Sequence, residues 1–254
     1  MKEQPTVSEL ARLIDHAILH PTHTLRDTLA GAELGLKFGT ASACIKPCFV
    51  RQTAERLAGS GVAACAVVGF PHGNGAVSIK VAETLQAVSD GAAEIDVVVN
   101  NGLVAADDWD GVAEEIRAVQ SACAEGAAIL KVIFETDYLA DERIVRLCDI
   151  CGQTGVAYVK TSTGFGYVKQ PDGDFNCRGA TEHHIRLMRE HCGPGLKIKA
   201  SAGIRDLDDL LKFRDLGCDR VGTSATRAIL EEAARRFWGG VSVGDATLSD
   251  PAGY

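Results

Sequence analysis

Long apolar runs are missing: no window approaches the roughly 18 consecutive apolar residues of a membrane helix. The opening MKEQPTVSELARL carries acidic residues and no apolar signal core, so a cytoplasmic protein is expected. Basic runs are missing too. With 26 basic against 34 acidic side chains and a net charge of −8, the chain offers no footprint for a phosphate backbone or an anionic bilayer. Neither nucleic acid nor a membrane is therefore expected as a partner. The nine cysteines are odd in number and irregularly spaced, which argues against a disulfide framework and for buried or reactive thiols. What remains is an ordinary globular composition, 46% hydrophobic and 24% charged, in 254 residues.

Short β-branched runs alternate with longer Ala/Leu/Glu/Arg-rich stretches of helical period, the pattern of repeated βα units. Strands are expected around residues 13–18, up to Ile45, and over 63–68, 93–100, 128–135, 156–162, 196–201 and 218–224. Most are too apolar for a half-exposed sheet and suit parallel strands covered by helices. Eight such units suit an α/β protein folded as a closed (β/α)8 TIM barrel, with an open doubly wound sheet as the rival. The expected layout is one barrel over residues 1–238, with a helical lead-in, and a polar tail over 239–254. The loop from Gly164 to Gly179, rich in Gly, Asp and Asn, reads as irregular.

Barrel chemistry sits at the carboxyl ends of strands, so polar residues within or just after the apolar runs are the informative ones. That rule selects Asp15, Cys44, Asp96, Lys131, Lys160, Lys199 and Ser224. Lys160 in AYVKTSTGFG and Lys199 in LKIKASAGIR fall on consecutive strands, each before a small Gly-containing turn. Two ammonium groups crowded together and desolvated favour a neutral amine on one of them, and a neutral amine is a nucleophile towards a carbonyl carbon. The alternative is a lysine that reaches solvent or pairs with an acid. Asp96, the acid inside EIDVVVN, needs a cationic partner and could either hold a water beside an imine or merely fix the core through a salt bridge. Asp15 and Lys131 read as supporting members of the same charge network. Gly turns after the sixth, seventh and eighth strands, the last ending at Ser224, lie where barrels often bind phosphate through backbone N–H groups.

In that order and over almost the whole chain, IDHAIL, EIDVVVN, LKVIFET, VKTSTGF, KASAGIR and VGTS resemble the deoxyribose-phosphate aldolase family of class I, Schiff-base-forming aldolases. VKTSTGF and KASAGIR are the most specific. The resemblance implies a (β/α)8 barrel that reversibly cleaves 2-deoxy-D-ribose 5-phosphate to D-glyceraldehyde 3-phosphate and acetaldehyde, without metal or organic cofactor, in deoxynucleoside breakdown. Small aldehydes and sugar phosphates are then the partners, with a homodimer left open as the assembly. By the same resemblance Lys160 is the Schiff-base lysine, Lys199 the neighbour that depresses its pKa, and Asp96 the acid of the proton relay. Asp15 matches an acid near Lys199, and Cys44 a mouth cysteine associated with aldehyde sensitivity. Gly164, Gly203, Arg205, Gly222 and Ser224 match the phosphate pocket, and Tyr254 a terminal tyrosine that folds over the site in some members.

Two features depart from the family pattern. Ala202 stands where a Gly-Gly pair usually begins, so a positive φ there would be strained. The segment YVKQPDGDFNCRGAT is longer than the usual link and could alter substrate size or cover the site. Competing readings are a related Schiff-base aldolase or thiolase acting on another sugar phosphate, a silent barrel that binds a phosphorylated metabolite, and a metal-dependent enzyme built on His16, His20 and His23 or on His183 and His184. Pro21 breaks any helix that would align the first histidine group. Cys148 and Cys151 form a lone CxxC and read as helix-face residues.

Overall fold

In the computed structural model, which describes residues 5–169 and 172–238, eight parallel strands close on themselves in the order β1-β10-β9-β6-β5-β4-β3-β2. These are β1 (Ile14–Ile18), β2 (Ser42–Ile45), β3 (Ala63–Val68), β4 (Glu94–Val98), β5 (Ile129–Ile133), β6 (Tyr158–Lys160), β9 (Lys197–Ser201) and β10 (Arg220–Thr223). Pairing of Ile14 with Val221 and Asp15 with Gly222 joins the last barrel strand to the first, which excludes the open doubly wound sheet. The fold is a (β/α)8 barrel. The expected helical lead-in is α1 (Val7–Ala11), started by a capping box in which Thr6 and Glu9 satisfy each other's backbone N–H groups.

Helices cover the outside of every strand. On α2 (Leu25–Phe38) a second capping box, Thr24 with Asp27, starts the helix, and Gly39 at φ +67° ends it. Gly31 on that helix lies so close to Ile18 that a Cβ would sit 2.6 Å from its Cδ1, so α2 packs directly on β1. The principal hydrophobic cluster joins outward strand residues such as Ile95, Val97, Leu130 and Val132 to the helix residues Val112, Ile116, Ile144 and Leu147. Side chains alternate across a strand, so the intervening residues Glu94, Asp96 and Lys131 point into the barrel. The charge inside the apolar runs is thus confined to one face of the wall.

One expectation needs correction. Within the segment read as irregular, β7 (Val168–Lys169) and β8 (Phe175–Asn176) pair antiparallel. Two-residue strands carry too little alternation to stand out in a sequence. The hairpin is held instead by Tyr167 stacked on Phe175, ring centroids 4.2 Å apart and planes 7° from parallel, and by the Tyr167 N–H donating to the Tyr138 hydroxyl at 2.6 Å. The tail over 239–254, with Tyr254, lies outside the described residues.

His16 on β1 faces outward, beneath α10 (Thr226–Trp238), where its Nδ1 lies 2.8 Å from the Thr226 hydroxyl. Burial pushes its pKa down to about 4 from an ordinary 6.5. The folded protein therefore keeps this ring neutral while the unfolded chain takes up a proton. Its contribution to stability is present above pH 6.5 and is lost as the pH falls towards about 4. Urea denaturation at stepped pH should show stability declining through that window, and His16→Gln should flatten the decline; an unchanged slope in the variant would refute the assignment.

Candidate active site

Inward alternation and strand register together assemble a charged cluster within the barrel. Lys160 at the end of β6 is the direct register partner of Lys199 on β9, and Asp96 on β4 is that of Lys131 on β5. Asp96 joins all three lysines. Its Oδ2 accepts from Lys160 Nζ at 2.9 Å and from Lys199 Nζ at 2.7 Å, while its Oδ1 accepts from Lys131 Nζ at 2.8 Å. Lys199 reaches the other face of the network through Asp15, Nζ to Oδ2 at 2.5 Å. Lys131 also pairs with Glu94 at 2.6 Å, and Arg220 with Asp15 at 2.5 Å and Glu94 at 3.3 Å. The Ser42 hydroxyl donates to Asp15 at 2.7 Å.

Asp15, Asp96, Lys131, Lys160 and Lys199 are each at most 2% exposed. Burial alone would raise both aspartates, but Lys131 and Lys199 outweigh it for Asp15, and Lys131, Lys160 and Lys199 do so for Asp96, so both carboxyls are held below the usual range. Burial alone would likewise lower Lys131 and Lys199. The surrounding carboxylates overcome it and raise both, which keeps them charged. Four cations, Lys131, Lys160, Lys199 and Arg220, thus face three carboxylates, Asp15, Glu94 and Asp96. Lys160 has the fewest carboxylate contacts among them: its ion pair is to one oxygen of Asp96, which Lys199 shares.

Beside the cluster opens a cavity of about 340 Å³. Lys160, Lys199, Asp15 and Cys44 stand in its wall, together with Gly164, Gly203, Arg205, Gly222 and Ser224, so two of the three lysines singled out in the sequence share one space with the residues expected to hold phosphate. Asp96 and Lys131 lie behind the wall, where they order the lysines that reach the cavity. Gly222 has a steric role as well: a Cβ there would lie 3.2 Å from Lys199 Cε and 3.0 Å from the Ser201 Cβ. Asn176 and Cys177 bring the foot of the hairpin into the same wall. That foot is fixed by the buried Asp137, whose Oδ2 accepts from the backbone N–H groups of Arg178 at 2.6 Å and Gly179 at 3.1 Å.

Several members of the site were not singled out in the sequence. Glu94 and Arg220 lie two residues before Asp96 and Gly222, on the same inward face, and strict alternation along those strands would have found them. Glu135, buried at φ +55°, accepts from the Thr163 N–H at 3.2 Å and from the Thr163 hydroxyl, so it secures the loop that follows Lys160. Burial pushes its pKa up. Its signal was an acid closing the apolar run AILKVIFE, as Asp96 interrupts its own.

The first histidine group separates, while His183 and His184 stay together beside Asp141. His16 belongs to the wall of β1, while His20 and His23 pack ring to ring at 5.5 Å after that strand. His183 pairs with Asp141 at 2.8 Å on the outside of the barrel. Cys148 and Cys151 are buried on α7 (Asp141–Thr154), in the layer between helix and sheet.

A closed barrel whose interior lysines flank a cavity can carry chemistry on small carbonyl compounds. Residues 9–232 match the model of the DeoC/LacD family aldolases. The chain belongs to that family and is an aldolase, a carbon–carbon lyase. It is 41% identical to the deoxyribose-phosphate aldolase of Rhodopirellula baltica, with 97% of each chain covered. To that of Caldanaerobacter subterraneus it is 38% identical over 91% of this chain and 96% of the relative. Among solved structures, the tetrameric deoxyribose phosphate aldolase from Aeropyrum pernix superposes with a TM-score of 0.80 at 28% identity, covering 89% of this chain and 92% of that one.

The departure at Ala202 has a structural cost. This residue adopts φ +69°, the left-handed region where a Cβ is strained, between Ser201 and Gly203 in the cavity wall. Relief of that strain should make Ala202→Gly more stable by about 1 kcal/mol, read as a higher urea midpoint at unchanged slope. A fall in stability would show that the neighbours over-determine the conformation.

Proposed function

We propose that this aldolase cleaves 2-deoxy-D-ribose 5-phosphate to D-glyceraldehyde 3-phosphate and acetaldehyde through a Schiff base on Lys160, in the cytoplasm. One observation carries the reading: Lys160 and Lys199 meet at a single carboxylate oxygen in a buried network, and both stand in the cavity wall. Lys160 has the fewest carboxylate contacts of the network's cations and stands in the cavity wall, where a substrate carbonyl can reach its Nζ.

The neutral Nζ of Lys160 adds to the C1 aldehyde of the open-chain sugar, and loss of water leaves an iminium. This cation draws electrons from the C2–C3 bond as a base removes the C3 hydroxyl proton. C3 to C5 depart as glyceraldehyde 3-phosphate, and C1 and C2 remain as an enamine. Protonation at C2 and hydrolysis then free acetaldehyde and return Lys160. A water on the cavity side of Lys199 serves both proton transfers, with Asp96 and Asp15 keeping Lys199 charged and aimed. In the same cavity Gly164, Gly203, Arg205, Gly222 and Ser224 receive the phosphate, with Arg205 as the cation. Anchoring there fixes the chain's position before the chemistry begins.

Borohydride reduction in the presence of acetaldehyde should leave a two-carbon adduct on the peptide that contains Lys160 and abolish turnover, while EDTA should have no effect. Lys160→Met should lower turnover by several orders of magnitude, and Lys199→Met or Asp96→Asn by about 10²–10⁴-fold. An adduct on Lys199, or trapping with no accompanying loss of activity, would overturn the assignment.

A further inference from the structure

Two thiols sit beside the lysines without a part in the aldol steps. Cys44 on β2 and Cys65 on β3 are direct register partners, so both side chains leave the sheet on the same inward face. Their sulfurs are 3.7 Å apart, with Cys65 donating to Cys44. Cys44 belongs to the cavity wall, and Cys65 is sealed behind it at 0% exposure. Both touch the central carboxylate: Cys65 Sγ lies 3.2 Å from Asp96 Oδ1, and Cys44 Sγ 3.9 Å from Asp96 Oδ2. Lys131 Nζ also donates to Cys65 Sγ at 3.2 Å.

We propose that Cys44 and Cys65 form a dithiol oxidation site, with Cys44 attacking a small hydroperoxide that enters the cavity and Cys65 closing the product to a disulfide. Neighbouring strands are spaced about 4.8 Å apart, within the roughly 4.4–6.8 Å between Cα atoms that a disulfide bridges. The two thiols are unequal. The hydrogen bond from Cys65 lowers Cys44 from the ordinary thiol range, against burial and the charge of Asp96 and with help from Lys199 and Lys160. Burial, that same hydrogen bond and Asp96 raise Cys65. The thiolate, the attacking species, therefore forms more readily on the sulfur that faces the cavity.

In the first step Cys44 Sγ, as thiolate, attacks one oxygen of hydrogen peroxide. An S–O bond forms, the O–O bond breaks, and the departing hydroxide takes up the proton that Cys44 released, leaving as water. In the second, Cys65 Sγ loses its proton and attacks the Cys44 sulfur. The S–S bond forms, the S–O bond breaks, and hydroxide leaves with that proton as a second water. Two thiols lose two electrons in all, and one peroxide gains them. The disulfide removes both S–H groups from the surroundings of Asp96. Loss of aldol turnover on oxidation rests on the function proposed above; formation of the bridge does not.

The test uses the full chain, treated with hydrogen peroxide, then alkylated, digested and analysed by mass spectrometry. The expected result is the loss of two of the nine thiols, a linked peptide joining Cys44 to Cys65, and full reversal by dithiothreitol. In Cys65→Ser the linked peptide should be absent, and Cys44 should accumulate as a dimedone-reactive sulfenic acid that proceeds to a sulfinic acid dithiothreitol does not reverse. Because both readouts are of the sulfurs, they hold whether or not Lys160 is the nucleophile, which borohydride trapping decides separately. The proposal is overturned if both thiols stay reduced while the exposed Cys48 is oxidised, or if the bridge joins another pair such as Cys148 and Cys192.

Discussion

The carboxylate of Asp96 is the point on which the interior of this barrel depends. An ionised aspartate with no exposure to water is stable only if its charge is matched at contact distance, and here three lysines from three strands do so at 2.7 to 2.9 Å. Each lysine is in turn tolerable inside the protein only because Asp96, with Asp15 and Glu94 behind it, is there. No member can be removed without leaving a partner uncompensated. Two of these lysines, Lys160 and Lys199, also reach the cavity wall, so the network is open to a ligand on one side.

Strand register delivers this arrangement with little help from loops. Asp96 meets Lys131 and Lys160 meets Lys199 as direct cross-strand partners, so the backbone ladder fixes which charges approach before any side chain chooses a rotamer. The outward residues between them are buried under helices, and a slip of one position would send every charge into that apolar layer. The loops after β6, β9 and β10 and the foot of the hairpin complete the cavity wall. Ala202 takes its strained φ in this wall, and Glu135 takes its own after β5, where it holds the loop that follows Lys160; close packing around a site commonly holds such strain.

Much of this was legible in the chain itself, because the barrel's repeat imposes a strong rhythm and because charges inside apolar runs are rare enough to be informative. Lys160, Lys199, Asp96, Asp15 and Lys131 all stood out for that reason, and the structure brings them together. Glu94 and Arg220 were less visible because they begin their strands, where a charge also reads as the end of the preceding loop. Cys65 looked like any buried thiol, since its significance comes only from register with Cys44. The hairpin at 168–176 was hidden by its shortness and by stabilisation through one aromatic stack, a contact with no periodic signature.

The central claim is a matter of counting protons. Neutron diffraction from crystals exchanged into heavy water at neutral pH would locate them on the three amines around Asp96. The account predicts two deuterons on the Nζ of Lys160 and three on those of Lys131 and Lys199. Three on Lys160, or the two-deuteron amine on Lys199 instead, would contradict it.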